Sequence, residues 1–339
     1  MTKIGFIGTG WTDIGQIKAF QKSGLIPQAI FSRSYDKAKA IADRYSIPEI
    51  YTDWKKLIES PKIDLVSIVL PTFMHSEVIR YARRSGKAFI CEAPFLSAGE
   101  IEDLISRKNK LEIIDYELRF TPHFIKMKDL IGENRIGRVE SFHFEYLNNS
   151  ALNKEIKWDW SNDLQLGGGY LNLVGGHFID LGNYLFGNYQ KIIETKLHIY
   201  QPEKEDNKGR LREVTADDEA YLKLEYPDKV FGEIFISQMS DKEEKLLFEV
   251  KGSGGKLKLE NNELLLENDN SVKKVDLNYD QSLFTGFDNN LFTIGSFFLG
   301  QRIKQALEGK DNFEFPGLKD ALVNQKLLDK VYKTLPEKA

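Results

Sequence analysis

Short apolar runs alternate with amphipathic stretches through the first third of the chain, the pattern of a parallel sheet joined by crossover helices. Residues 4–7, 29–31, 65–70 and 88–90 are the buried-strand candidates, and 113–116 read as a last strand. Between them lie helical patterns, such as Val78, Ile79 and Ala82 opposed by Glu77, Arg80, Arg83 and Arg84. From Arg138 the period changes to two. Phe142, Phe144 and Tyr146 share one face, with Ser141, His143 and Glu145 on the other. Ala220, Leu222, Leu224 and Tyr226 alternate in the same way with Tyr221, Lys223 and Glu225, and Leu257 and Leu259 follow the turn Gly252-Ser253-Gly254-Gly255. These are half-buried antiparallel strands. Residues 201–213 are charge-rich and apolar-poor and read as a mobile surface loop, and an amphipathic helix opened by Pro316 ends the chain.

The resulting expectation is an α/β protein. A Rossmann doubly wound parallel sheet spans 1–119, and an α+β domain with a large, mostly antiparallel open sheet spans 120–339, its last helix over 317–333. A length of 339 residues fits about two domains. Hydrophobic residues at 41% and charged residues at 29% give a globular balance. The net charge of −4 argues against a general nucleic-acid binder. One cysteine, Cys91, forms no internal disulfide. Met1-Thr2-Lys3 leads straight into Ile4-Gly5-Phe6-Ile7-Gly8 without a signal-like apolar region, and no apolar stretch approaches the roughly 20 residues of a membrane span. The reading is a cytoplasmic protein that binds a small molecule, neither nucleic acid nor membrane, and assembles as a homodimer or homotetramer through the open sheet.

Candidate chemistry begins at Gly8-Thr9-Gly10-Trp11-Thr12-Asp13, between a predicted strand and a helical pattern through Ile14, Ile17 and Phe20. In a dinucleotide fingerprint Gly8 allows the tight turn, Gly10 lets the backbone approach a pyrophosphate, and the N–H groups at the helix start, with Trp11 and Thr12, face its charge. The third glycine is Asp13, so the motif is imperfect. An acid at the end of the second strand would bind the ribose of NAD. Here the run is Phe31-Ser32-Arg33-Ser34, and Ser32 and Arg33 suit a 2′-phosphate, which favours NADP over NAD.

Several stretches together resemble the glucose–fructose oxidoreductase, inositol dehydrogenase and rhizopine-catabolism family (Gfo/Idh/MocA). They are the glycine turn, Pro71-Thr72-Phe73-Met74-His75, Gly86-Lys87 leading to Cys91-Glu92-Ala93-Pro94, Arg119-Phe120-Thr121-Pro122, Trp158-Asp159-Trp160 before Gly167-Gly168-Gly169, and Gly175-Gly176-His177-Phe178-Ile179-Asp180. The resemblance runs over essentially the whole chain. It implies hydride transfer between a nicotinamide and a sugar, polyol or related carbohydrate-like substrate. It also implies that Pro71, Thr72, His75 and Glu92 lie beside the cofactor and that Arg119, Trp158 and His177 face substrate. His75 reads equally well as a helix-start residue, Trp158 as plain core, and Arg119 as a tie between domains.

Alcohol oxidation needs a group to take the hydroxyl proton. The family's Glu-Lys-Pro lysine is Ala93 here, and the aspartate four residues before the retained His177 is Leu173. His177 remains the candidate acid/base, with Asp180 placed to orient it or merely to pack. Tyr116, Tyr170 and Lys157 are the other proton-transfer candidates. Two alternatives stay open: a lyase, epimerase or glycosidase that retains its nicotinamide, and a catalytically silent nucleotide- or sugar-binding protein. Five histidines without a ligand spacing argue against a metal site, and no nucleophile elbow or P-loop lysine is present.

Overall fold

The computed structural model describes residues 1–105, 111–153, 155–268, 271–284, 290–310 and 313–334. They form two compact units, Met1–Thr121 with Asp280–Leu322, and Pro122–Tyr279 with Val323–Ala339. Residues 335–339 of the expected second domain lie outside the described residues.

The first unit is built on six parallel strands, β1 (Lys3–Ile7), β2 (Ile26–Phe31), β3 (Glu49–Tyr51), β4 (Leu65–Ile68), β5 (Ala88–Glu92) and β6 (Glu112–Asp115). They are ordered β3-β2-β1-β4-β5-β6, the doubly wound arrangement with its switch point between β1 and β4. Crossovers run through α1 (Ile17–Lys22), α2 (Tyr35–Tyr45), α3 (Trp54–Glu59), α4 (His75–Arg84) and α5 (Ala98–Ile105). The strands are apolar on both faces because both faces are covered. Ile4, Phe6, Leu65, Ile90 and Ile113 enter one core with Ile17 and Phe20, whereas Ile7, Val66, Ile68, Phe89 and Ile114 enter the other with Val78 and Ile79.

The helical pattern after the glycine turn needs one correction. Thr12–Gln16 wind as a π turn before α1 begins, which shifts the phase of the apolar stripe. Ile14 therefore points to solvent, 67% exposed, while Ile17 and Phe20 are buried as the pattern predicts.

The second unit opens with α6 (Pro122–Gly132) and β7 (Val139–Asn148) and continues through α7 (Gly176–Phe186) and β8 (Lys191–His198). A hairpin of β9 (Glu203–Glu205) and β10 (Leu211–Glu213) follows. Then come β11 (Glu219–Glu225), β12 (Phe231–Ser237), β13 (Glu244–Gly252), β14 (Gly255–Glu260), β15 (Glu263–Asn268) and β16 (Ser271–Lys274). Eight of these strands form one sheet in the order β16-β15-β14-β13-β7-β12-β11-β8, antiparallel except for the β7–β12 pair. Its inner face meets α7: the Phe142 ring stacks on Phe186 at 4.6 Å, and Phe144 lies 6.0 Å from Phe178.

Residues 201–213 are not the expected open loop. β9 and β10 pair antiparallel, and the turn between them is tied by Asp206, whose Oδ1 accepts from the Lys208 and Arg210 N–H groups at 2.8 and 3.1 Å. A hairpin held by its turn and backbone needs no apolar face, so periodicity does not reveal it.

The chain order of the units also departs from a single boundary near residue 120. α8 (Leu291–Leu307) belongs to the first unit, because Leu299 and Ile303 are fully buried in the core that holds Ile4, Phe6, Ile17 and Phe20. α9 (Leu318–Tyr332) closes the described chain.

Candidate functional site

The glycine turn joins β1 to the helical segment at the switch point of the parallel sheet. Gly8 has φ +122°, and a Cβ there would lie 1.9 Å from the Val69 carbonyl oxygen, so the tight turn admits only glycine. A Cβ on Gly10 would meet nothing within 4 Å, which leaves its backbone open to an approaching ligand. Thr12 is fully buried, and its Oγ1 has no partner among the described residues. An open peptide surface and an orphaned hydroxyl at a helix start fit a dinucleotide pyrophosphate.

Asp13, in place of the third glycine, turns outward. Arg44 Nη1 donates to its two carboxylate oxygens at 2.8 and 2.9 Å, and Tyr45 Oη donates to its carbonyl at 2.9 Å. The Asp13 charge is thereby paired with Arg44. Close packing moves to Gly15, where a Cβ would lie 2.4 Å from the Trp11 ring. Trp11 in turn meets Phe292 edge to face at 6.3 Å.

At the end of β2, Ser32 is nearly buried and its Oγ accepts from the Ser34 N–H at 3.2 Å, while Arg33 is exposed. Pro71 is half-buried and Thr72 buried at the turn before α4. His75 is only 1% exposed, with Nδ1 2.8 Å from the Pro94 oxygen and Nε2 2.8 Å from the Leu70 oxygen. Both ring nitrogens face carbonyls, so His75 clamps the loops after β4 and β5. Burial pushes its pKa down, and the two carbonyls partly oppose that shift.

Glu92 ends β5 and leads a network that sequence reasoning did not assemble. Gln16 Nε2 donates to Glu92 Oε1 at 2.6 Å and to Asp115 Oδ2 at 2.7 Å, and Ser67 Oγ donates to Gln16 Oε1 at 2.6 Å. Burial first, then the neighbouring Asp115 and Glu117 carboxylates, hold the Glu92 carboxyl well above its ordinary range. The parity of the strands carries the signal: Ser67, Glu92 and Asp115 lie on the same sheet face as Leu65, Ile90 and Ile113, polar groups at the ends of apolar rows. Cys91, on the opposite parity, is fully buried, and burial raises its thiol pKa.

Arg119 Nη2 donates to Asp320 Oδ1 at 2.9 Å, within the first unit. Its guanidinium stands 5.7 Å from the centre of the Tyr116 ring, which is itself buried.

In the second unit His177 is the second residue of α7 and is buried. Leu173 is half-buried in the π turn Leu171–Gly175 that precedes the helix. Asp180 Oδ1 accepts from Asn324 Nδ2 at 2.9 Å, and Asn324 Oδ1 accepts from Asn183 Nδ2 at 2.7 Å. Trp158 Nε1 donates to the Glu213 carbonyl at 2.8 Å, and the Arg212 guanidinium covers its ring at 4.6 Å, so one face is already taken. Lys157 pairs with Glu205 at 3.1 Å. The Tyr170 hydroxyl accepts from Asn148 Nδ2 at 2.6 Å, and burial raises its pKa. No group of three or more potential ligands forms a metal site among the described residues, and no helix among them is long and apolar enough to cross a membrane.

Comparison with known proteins fits this geometry. Residues 2–114 match the oxidoreductase family with an NAD-binding Rossmann fold, and 124–258 match the GFO/IDH/MocA C-terminal domain. An uncharacterized oxidoreductase of Synechocystis sp. is 28% identical over 263 residues, 76% of this chain and 71% of that protein. Levoglucosan dehydrogenase of Pseudarthrobacter phenanthrenivorans is 26% identical over 252 residues, 68% of this chain and 64% of its own length. A levoglucosan dehydrogenase solved with NADH and levoglucosan superposes with a TM-score of 0.84 at 21% identity, covering 98% of this chain and 97% of the other. The chain thus belongs to the Gfo/Idh/MocA oxidoreductase family, with an NAD-binding Rossmann fold in its first unit and the family's C-terminal domain in its second.

Proposed function

We propose that this protein is an NAD(P)-dependent dehydrogenase of a sugar, polyol or related carbohydrate-like substrate. The observation that carries the reading is the turn at Gly8 and Gly10, closed to any side chain at the first position and open to a ligand at the second. The relatives named above support the substrate class, since two of the similar structures hold NADH with levoglucosan and with L-sorbose.

When bound, the nicotinamide supplies or accepts the hydride. The chain's own part is to hold and orient. Gly8, Gly10, Trp11 and Thr12 receive the pyrophosphate, and Ser32 with Arg33 receives the adenosine ribose, where an exposed guanidinium favours a 2′-phosphate. Pro71, Thr72 and Glu92 border the nicotinamide half, and the His75 clamp fixes the loop that carries Glu92 to Pro94. His177 is the acid/base on the substrate side, with Arg119 and Trp158 as lesser contacts, because both already have protein partners. Ala93 and Leu173 can move no proton, so the relay is thinner than the family's.

Incubation with NAD+ or NADP+ and a panel of anhydrosugars, aldoses and polyols, followed at 340 nm, tests the reading. Sustained reduction with at least one substrate is expected, and its loss in His177→Ala. Ala93→Lys with Leu173→Asp is expected to raise the rate by about 10² or more, the scale of a restored proton-transfer group. A folded, cofactor-bound double variant without gain counts against the missing-relay account.

The same two positions favour a second reading, in which a retained nicotinamide serves a lyase, epimerase or glycosidase. Substrate turnover without net change in the cofactor identifies it. The outer face of the eight-stranded sheet, where Phe231 is 39% exposed among ion pairs such as Lys223–Glu233, suits the homodimer or homotetramer contact, and light scattering reads the assembly.

A further inference from the structure

The carboxyl ends of β5 and β6 lie in the half of a doubly wound sheet that receives the second mononucleotide of a dinucleotide. Glu92 and Asp115 are the last residues of those strands, on the same face. Glu92 is partly exposed at the edge, and Asp115 is fully buried beneath it. Their nearest oxygens share one nitrogen, Gln16 Nε2, and Ser67 fixes that amide by donating to its oxygen. In this orientation the amide nitrogen donates to both carboxyl groups and the amide oxygen accepts from the Ser67 hydroxyl.

We infer that Glu92 and Asp115, joined through Gln16, form a single-proton store under the nicotinamide half of the crevice, and that this store makes the protein bind oxidised cofactor in a proton-linked way and reduced cofactor not. The inference rests on the cofactor reading given above. Two close carboxyl groups largely shielded from water do not both ionise readily, so the pair keeps one proton to a higher pH than an isolated carboxyl does. The direction of the Glu92 shift agrees. The charged groups bearing on Glu92 are Asp115 and Glu117, and the remaining neighbours in the network, Gln16 and Ser67, are neutral. The adjacent Cys91 thiol is held protonated by burial. Arg119, on the segment that follows β6, is engaged by Asp320.

An oxidised nicotinamide carries a positive ring charge and a reduced one does not. The positive ring favours ionisation of the pair, whose proton leaves to solvent. Phosphate and ribose contacts are common to both forms and cancel when the two are compared.

Calorimetric titration of the whole chain with NAD+, NADH, NADP+ and NADPH, from pH 6 to 9 in buffers of different ionisation enthalpy, tests this. Wild type is expected to release a fraction of a proton, up to about half, on binding the oxidised form and none on binding the reduced form. The ratio of the two affinities should move by about tenfold across the range, the factor that one unit of pKa shift represents. In Asp115→Asn, and independently in Glu92→Gln, the ratio should be flat. A wild-type ratio that does not change with pH overturns the inference and leaves the cofactor reading standing, as does a slope that persists in both folded variants. Failure of wild type to bind any of the four overturns the cofactor reading and this inference with it.

Discussion

Gly8 and Gly10 stand two residues apart in one turn and answer to different demands. At Gly8 the backbone is left-handed and a Cβ would run into the Val69 carbonyl, a backbone atom that cannot swing aside. Gly8→Ala is expected to cost about 3 kcal/mol or more, the scale of combined backbone strain and overpacking. Gly10 has open space at the same place. Gly10→Ala should leave stability within about 1 kcal/mol and act on the ligand instead, weakening dinucleotide binding by about tenfold or more as the methyl occupies the approach. Urea unfolding and cofactor titration of the two variants separate the effects. Equal loss of stability in both would refute the division of labour. At the end of β2, Arg33→Ala should cost NADPH about tenfold in affinity and NADH little, measured by fluorescence titration.

Elements differ in how plainly the sequence announces them. The buried strands of the parallel sheet are legible because both of their faces are apolar, and β7, β11 and β14 because one face is. The three-residue β3 and the hairpin of β9 and β10 are not, since neither depends on a row of apolar side chains. The helix after the glycine turn is legible in kind but not in phase, because nothing in Thr12–Gln16 marks a π turn. The candidate site divides likewise. Glycines required by the backbone can be read from spacing, whereas the Gln16, Ser67 and Asp115 network joins residues up to 99 positions apart and depends on which strand lies beside which. The β9–β10 hairpin also gives a prediction. Asp206 accepts from two N–H groups of its turn and from the Arg210 guanidinium, and Arg212 lies over Trp158. Asp206→Ala should speed amide exchange across 203–213 and shift Trp158 emission, with global stability changed by less than about 1 kcal/mol because the element is at the surface. Unchanged exchange would show that backbone pairing alone orders the segment.

Across the whole molecule each unit holds an acid above its ordinary pKa and a histidine below. In the first unit these are Glu92 and His75, and in the second Asp217 and His123. Burial is the leading cause for all four. For Asp217 it outweighs the hydrogen bonds from Tyr332 Oη and the Leu171 N–H, at 2.6 and 2.8 Å, and leaves a pKa of about 6 against 3.8 unfolded. Between those values the folded chain holds more protons, so this group's contribution is complete below about pH 4 and is lost as pH rises through 6. His123 is pushed down from 6.5 to about 4. There the unfolded chain holds more protons, and stability grows as pH rises from 4 through 6.5. Each shift is a little over two units, or about 3 kcal/mol at most, and the two have opposite sign over nearly the same window. The second unit is therefore expected to show a nearly flat unfolding free energy from pH 4 to 6.5, although two of its buried groups titrate. Asp217→Asn removes one limb, and stability should then climb with pH by about 2–3 kcal/mol across the window. His123→Gln removes the other, and stability should fall by a similar amount. Urea midpoints at half-unit pH steps for the three proteins decide the matter, since parallel curves would mean that neither group titrates in the folded state where its burial places it.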